Sequence, residues 1–106
     1  MATVNDIYAF LNDLAPVRYQ MDFDNAGFLV GDGSTAIERV LLALDITDEV
    51  IAEAAELHAQ LIVSHHPLIF TPLRRTTSED LTGRKVLALA RNGIAAVCMH
   101  TNLDIA

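Results

Sequence analysis

Three short apolar runs, "VLLALD" (residues 40–45), "LIVSHH" (61–66) and "AAVCMH" (95–100), each end on a carboxylate or a histidine. Their apolar residues are continuous instead of alternating, the pattern of strands covered on both faces. Segments with helical spacing separate them. Strand, helix, strand, helix, strand is the order of a largely parallel sheet, because a parallel neighbour needs a connection long enough to return across the sheet. The expected fold class is α/β, a largely parallel sheet with flanking helices.

The remaining punctuation fits that frame. Val4, Ile7, Tyr8, Leu11 and Leu14 follow helical spacing, with Thr3 as N-cap, Asp6 in the first turn and Pro16 closing the segment. Residues 28–30 and 40–44 read as strands separated by Gly31, Asp32, Gly33 and Ser34, so a hairpin or a short crossover joins them. Thr47, Asp48 and Glu49 start a helix whose buried stripe is Val50, Ala54, Leu57 and Leu61. Residues 71–82 read as a loop containing Pro72, Arg74 and Arg75. From Thr82 onward Val86, Leu87, Leu89 and Ala90 recur helically, Gly93 supplies a left-handed cap, and residues 94–99 form the last strand.

With 106 residues, 52% of them apolar, the chain has room for one core, and residues 1–106 are read as a single domain. A formal charge of -7 argues against nucleic-acid or anionic-membrane partners, which need clustered cations, and is compatible with cation binding. Cys98 is the one cysteine, so no internal disulfide can form and a reducing compartment is the simpler reading. "MATVNDIYAF" lacks the basic and apolar regions of a leader, and no apolar run approaches the roughly 18 residues of a membrane span. A cytoplasmic location is expected.

Ligands of open α/β sheets gather beyond the carboxyl ends of the strands. Asp45, the pair His65 and His66, and the stretch from His100 to Asp104 should therefore converge. Adjacent residues of an extended strand point to opposite sides, so His65 and His66 would not easily chelate one ion and could instead serve two. Pro67 ends the ladder and biases His66 toward extended backbone. Imidazole with carboxylate and no cysteine suits zinc, iron, manganese or a similar divalent ion. A lone histidine at a strand end such as His100 is more often a hydrogen-bonded structural residue. His58 reads as solvated, and Cys98 and Met99 read as core.

Other signals are weaker. Arg74 and Arg75 could hold a phosphate-bearing substrate, although an exposed arginine pair is more often only solvated. "GDGS" lacks the residues of a P-loop or a dinucleotide fingerprint and reads as a turn. Ser64 has no nucleophile elbow around it.

Together "DNAGFLVGD" (24–32), "LALDIT" (42–47), "LIVSHHPLIF" (61–70) and "HTNLD" (100–104) resemble the amino-terminal half of the Nif-three-like family, the GTP cyclohydrolase type-2-like dinuclear metal proteins. The resemblance runs along nearly the whole chain, and the last two motifs are the specific ones. It implies a Nif-three-like fold, two divalent metal ions per subunit and a ring-like homohexamer. It places metal ligands at His65, His66 and Asp104, with His100 in the surrounding shell and Asp24 and Asn25 close by. Phe23 stands where many members have tryptophan. In the family a later histidine and glutamate complete the metal spheres, so this chain is expected to be truncated relative to the family, with an incomplete site.

Two functions follow as expectations. One is a metal-dependent hydrolase acting on a nucleotide-like small molecule, with His100 or Asp45 orienting groups or accepting a proton. The other is a non-catalytic metal-binding assembly or regulatory protein. An α/β fragment that binds nothing is the blandest alternative.

Overall fold

The computed structural model describes residues 1–106. Four strands form one sheet: β1 (Gly27–Val30), β2 (Val40–Ala43), β3 (Leu61–Ser64) and β4 (Ala95–Cys98). The helices are α1 (Val4–Leu14), α2 (Asp48–Glu56), α3 (Leu81–Arg91) and α4 (Thr101–Ile105). Strand order is β1-β4-β3-β2, with β2, β3 and β4 parallel and β1 antiparallel to β4 at one edge. The three apolar runs are thus the parallel strands, as their continuity predicts.

Register sets the position of the site. Ala43 pairs with Ser64 and Ser64 with Cys98, so the three parallel strands end level with one another. The polar residues that follow each strand leave the sheet along one line.

Thr3 caps α1 in a reciprocal box. Its hydroxyl accepts from the Asp6 amide at 3.3 Å, and the Asp6 carboxylate accepts from the Thr3 amide at 2.9 Å. Thr3→Ala is expected to cost about 1 kcal/mol and to lower the melting temperature by roughly 4–8 °C. An unchanged melt would show that the helix start is held by other contacts.

Between β1 and β2 the crossover is found and the hairpin is not, because β1 and β2 lie at opposite edges of the sheet. The connecting segment is held against the start of α1, where Val4 donates to the Thr35 carbonyl and Ile37 to the Ala2 carbonyl. It leaves β1 at Gly31, whose φ is +115° and where a Cβ would lie 2.7 Å from the Ala95 Cα. Only glycine allows both that backbone conformation and that approach to β4.

Helix α2 is shorter than its apolar stripe predicts. It stops at Glu56, and His58 adopts φ 55° while Ala59 donates to the Ala54 carbonyl and His58 to the Ala55 carbonyl. This is a Schellman ending with histidine where glycine is usual. Leu61 therefore belongs to β3 and not to the helix, and His58 is exposed as expected. At the end of α3 the same pair of bonds closes on Gly93, φ 65°, as the sequence indicates.

Side chains alternate across the sheet into two cores. Ile62, Ala96 and Cys98 pack with Ile51, Ala54 and Leu89 from α2 and α3. Leu61, Ala95, Val97 and Met99 pack with Val4 and Ala15 of the α1 segment. Coverage fails at β2, where Leu42 is 74% exposed, so double-sided burial holds for β3 and β4 but not for that edge strand. After β4 the chain turns at once into α4, a short helix absent from the sequence reading. No helix is long and apolar enough to cross a membrane.

Candidate metal centre

His65 and His66 follow β3 directly, and their amides continue its ladder to the carbonyls of Ala43 and Leu44. The Ser64 hydroxyl donates to the His66 carbonyl at 2.9 Å, curling the chain where the strand ends. The two rings consequently lie 5.3 Å apart between centroids, instead of diverging as on a straight strand. His100, at the exit of β4, joins them at 5.0 Å from His65 and 5.6 Å from His66. Asp104 is carried over the group by α4, with its carboxylate 3.7 Å from His65 Nε2. The convergence expected from the strand ends is therefore observed, Asp45 included.

Each ring is anchored through the same nitrogen. His65 Nδ1 lies 2.8 Å from the Met99 carbonyl, His66 Nδ1 2.7 Å from Asp45 and His100 Nδ1 3.0 Å from Asp24. Carbonyls and carboxylates only accept, so each Nδ1 carries a proton and each neutral ring offers its Nε2 lone pair. Anchoring the far nitrogen in this way orients metal-binding histidines and raises their basicity.

The three histidines offer ligand atoms within 4.8 Å of one another. Two nitrogens on one tetrahedral zinc-like ion, each about 2.0–2.1 Å from it, lie about 3.4 Å apart. The group fits a single divalent cation if its widest pair closes by roughly an ångström or more, and fits two ions if the rings are shared between them.

Asp24 is the buried support of the site; its side chain has no solvent exposure. Burial pushes its pKa up, but hydrogen bonds from the Thr101 hydroxyl and amide, from His100 and from the Asn25 amide outweigh burial and bring it down to about 2. A folded pKa below the unfolded value means that this carboxylate stabilises the fold above about pH 4 and that the contribution is lost as pH falls through 2. Asp24→Asn is therefore expected to cost about 2 kcal/mol at pH 7 and about half that at pH 3, read from urea denaturation at the two pH values. An equal deficit at both would show that the charge of Asp24 is not what stabilises the fold.

Asn25 extends the support, its carboxamide donating to the Ile69 carbonyl at 2.5 Å and tying down the segment after Pro67. Cys98 is buried beside the site, but its thiol faces the Ser64 hydroxyl at 3.1 Å, and burial pushes its pKa up. It belongs to the core, as expected. The resemblance assigns His100 to the surrounding shell; the strand ends bring it to the group, and the geometry sets it as close to His65 as His66 is. The signal available for this was the level ending of parallel strands.

The sequence model of the family described as Duf34/NIF3 (NGG1p interacting factor 3) matches residues 2–106. A Clostridium perfringens protein named GTP cyclohydrolase 1 type 2 homolog is 46% identical over 101 residues, covering 95% of this chain and 38% of the relative. A Helicobacter pylori protein named GTP cyclohydrolase 1 type 2 is 36% identical, covering 98% of this chain and 42% of the relative. Among solved structures, a Staphylococcus aureus protein superposes with TM-score 0.91 at 36% identity, over 96% of this chain and 29% of that one. A Bacillus cereus protein related to NIF3 gives 0.89 at 34%, over 96% and 28%. The chain thus spans well under half the length of these relatives. A match along almost every residue, with the histidine pair and the "HTNLD" stretch at one sheet end, means that the chain belongs to the Duf34/NIF3 family.

Proposed function

We propose that this chain carries a divalent-metal centre on His65, His66 and Asp104, with His100 as a further imidazole at its edge, and that the centre serves hydrolysis of a nucleotide-like small molecule. The observation that carries the metal reading is the gathering of three imidazoles, one ring nitrogen of each within 4.8 Å of the others, together with the anchoring of all three Nδ1 atoms, which leaves each Nε2 without a hydrogen-bond partner. The hydrolytic reading is supported by the names of the relatives from Clostridium perfringens and Helicobacter pylori. Zinc, iron or manganese would suit the nitrogen and oxygen donors, and a pair of ions would match the separations above.

A cation held there would supply Lewis acidity and acidify water. The chain's own groups do the rest. Met99, Asp45 and Asp24 hold the rings in orientation, so each Nε2 is free to bind. Asp104, whose side chain is 63% exposed, can join the ligands or accept a proton. Asp45 is also exposed and can take up a proton next to His66.

The test is turnover of GTP by the metal-loaded chain, followed chromatographically. Turnover that falls at least tenfold in Asp104→Ala supports the hydrolytic reading, since general acid–base groups contribute roughly 10²–10⁴-fold. Metal retention without turnover of any nucleotide would contradict it and favour the second reading, a non-catalytic metal-binding assembly protein. That reading, with a homo-oligomer as its form, is favoured by the open edge of β2, where Leu42 and Leu44 are 74% and 61% exposed.

A further inference from the structure

Of the seven lysines and arginines, only Arg84 sits in an ion pair. Three of the others line two grooves that meet at Leu68, one of which reaches His66. Lys85 shares a groove of about 290 Å³ with His66, Asp45, Thr47 and Leu68. Arg74 and Arg75 line a second groove of about 390 Å³ with Leu68, Phe70 and Thr82. Leu68 belongs to both walls, and Thr82 and Lys85, three residues apart on α3, share a helix face. Meeting at Leu68, the two grooves make one candidate channel, its inner part beside His66 and its outer part at the start of α3.

The outer part is a built feature. A Cβ on Gly83 would lie 2.5 Å from the Arg75 carbonyl oxygen, so glycine lets the arginine segment rest directly on the first turn of α3. Asp80 fixes the same turn, accepting from the Gly83 amide at 2.6 Å. The carboxylates that line the channel are already engaged, Asp45 with His66 and Asp80 with the cap. Both lie beyond ion-pair distance of the three cations. In a chain of net charge -7, three cations outside any ion pair lining adjoining grooves make the local potential favourable to an anion.

We propose that this channel binds the phosphate groups of a small phosphorylated substrate, with Lys85 holding the group nearest the histidines and Arg74 and Arg75 the groups beyond. Guanidinium forks match phosphate oxygens in pairs, and an ammonium acts as a point charge beside them. The outer groove alone is within the roughly 300–1,000 Å³ of small-molecule sites. The proposal deepens the hydrolytic reading and rests on it for what the anchored molecule is presented to; the binding itself needs no metal.

The experiment is calorimetric titration of inorganic pyrophosphate into the chain stripped of metal with EDTA and dialysed, near physiological ionic strength. Lys85→Met, Arg74→Gln/Arg75→Gln and His65→Ala/His66→Ala are titrated in parallel. Saturable binding is expected in the native chain and in the histidine variant, weakened at least about tenfold in each cation variant, as loss of a charge-assisted hydrogen bond implies. Absence of saturable binding to the native chain overturns the proposal. So does binding that the histidine variant abolishes and the cation variants leave intact. If the chain retains no metal but pyrophosphate behaves as expected, the metal reading fails and the channel stands; metal retention without pyrophosphate binding gives the reverse.

Discussion

His65→Ala/His66→Ala is expected to abolish metal retention while leaving the fold in place. Each ring is held by one acceptor at Nδ1 and is partly exposed, so little core packing depends on either. Metal affinity depends on both. Loss of a single outer-shell partner already weakens metal binding roughly 10–100-fold, so removal of two imidazoles exceeds about 100-fold. Elemental analysis after dialysis against zinc, iron or manganese should show near-stoichiometric metal in the native chain and background in the variant, with similar thermal melts. Equal metal in both proteins would place the ions elsewhere.

Asn102→Ala carries the largest expected loss of stability. Asn102 is fully buried, and its carboxamide donates to the Ala15 carbonyl at 2.8 Å while accepting from the His100 amide at 2.9 Å. Alanine leaves an acceptor and a donor unpaired in the interior, each costing about 1–3 kcal/mol. A total near 3 kcal/mol, read from urea denaturation, is expected. Because the same side chain fixes the backbone of His100, metal affinity should weaken in this variant even under conditions where it remains folded. Loss of stability with unchanged affinity would separate α4 from the site.

The parallel core of the sheet was legible because its strands are unbroken apolar runs, and the helix starts because Thr3 and Thr47 carry side-chain caps. The end of α2 was not, since the left-handed position is filled by His58 and no glycine marks it. The partner of β1 was also hidden. Antiparallel pairing with β4 joins residues about 70 apart in sequence, and no local pattern encodes a contact of that range. At the site, the meeting of Asp45, His65, His66 and the stretch from His100 to Asp104 was readable from the strand ends. The closeness of the two rings was not, because it depends on the bond from Ser64 to the His66 carbonyl. The resemblance puts Asp24 near the site, but its bonds to Thr101 and His100 were hidden, since they span more than seventy residues of chain.

In the proposed metal centre His65, His66 and His100 keep Nδ1 anchored and leave Nε2 for the cation site. Long-range ¹H–¹⁵N correlation of the imidazole nitrogens, recorded before and during zinc titration, tests it directly. His65, His66 and His100 are all expected to carry their proton on Nδ1 in the metal-free chain, and their Nε2 signals to shift together as zinc is added. Protons found on Nε2, or zinc shifts confined to His58, would contradict it.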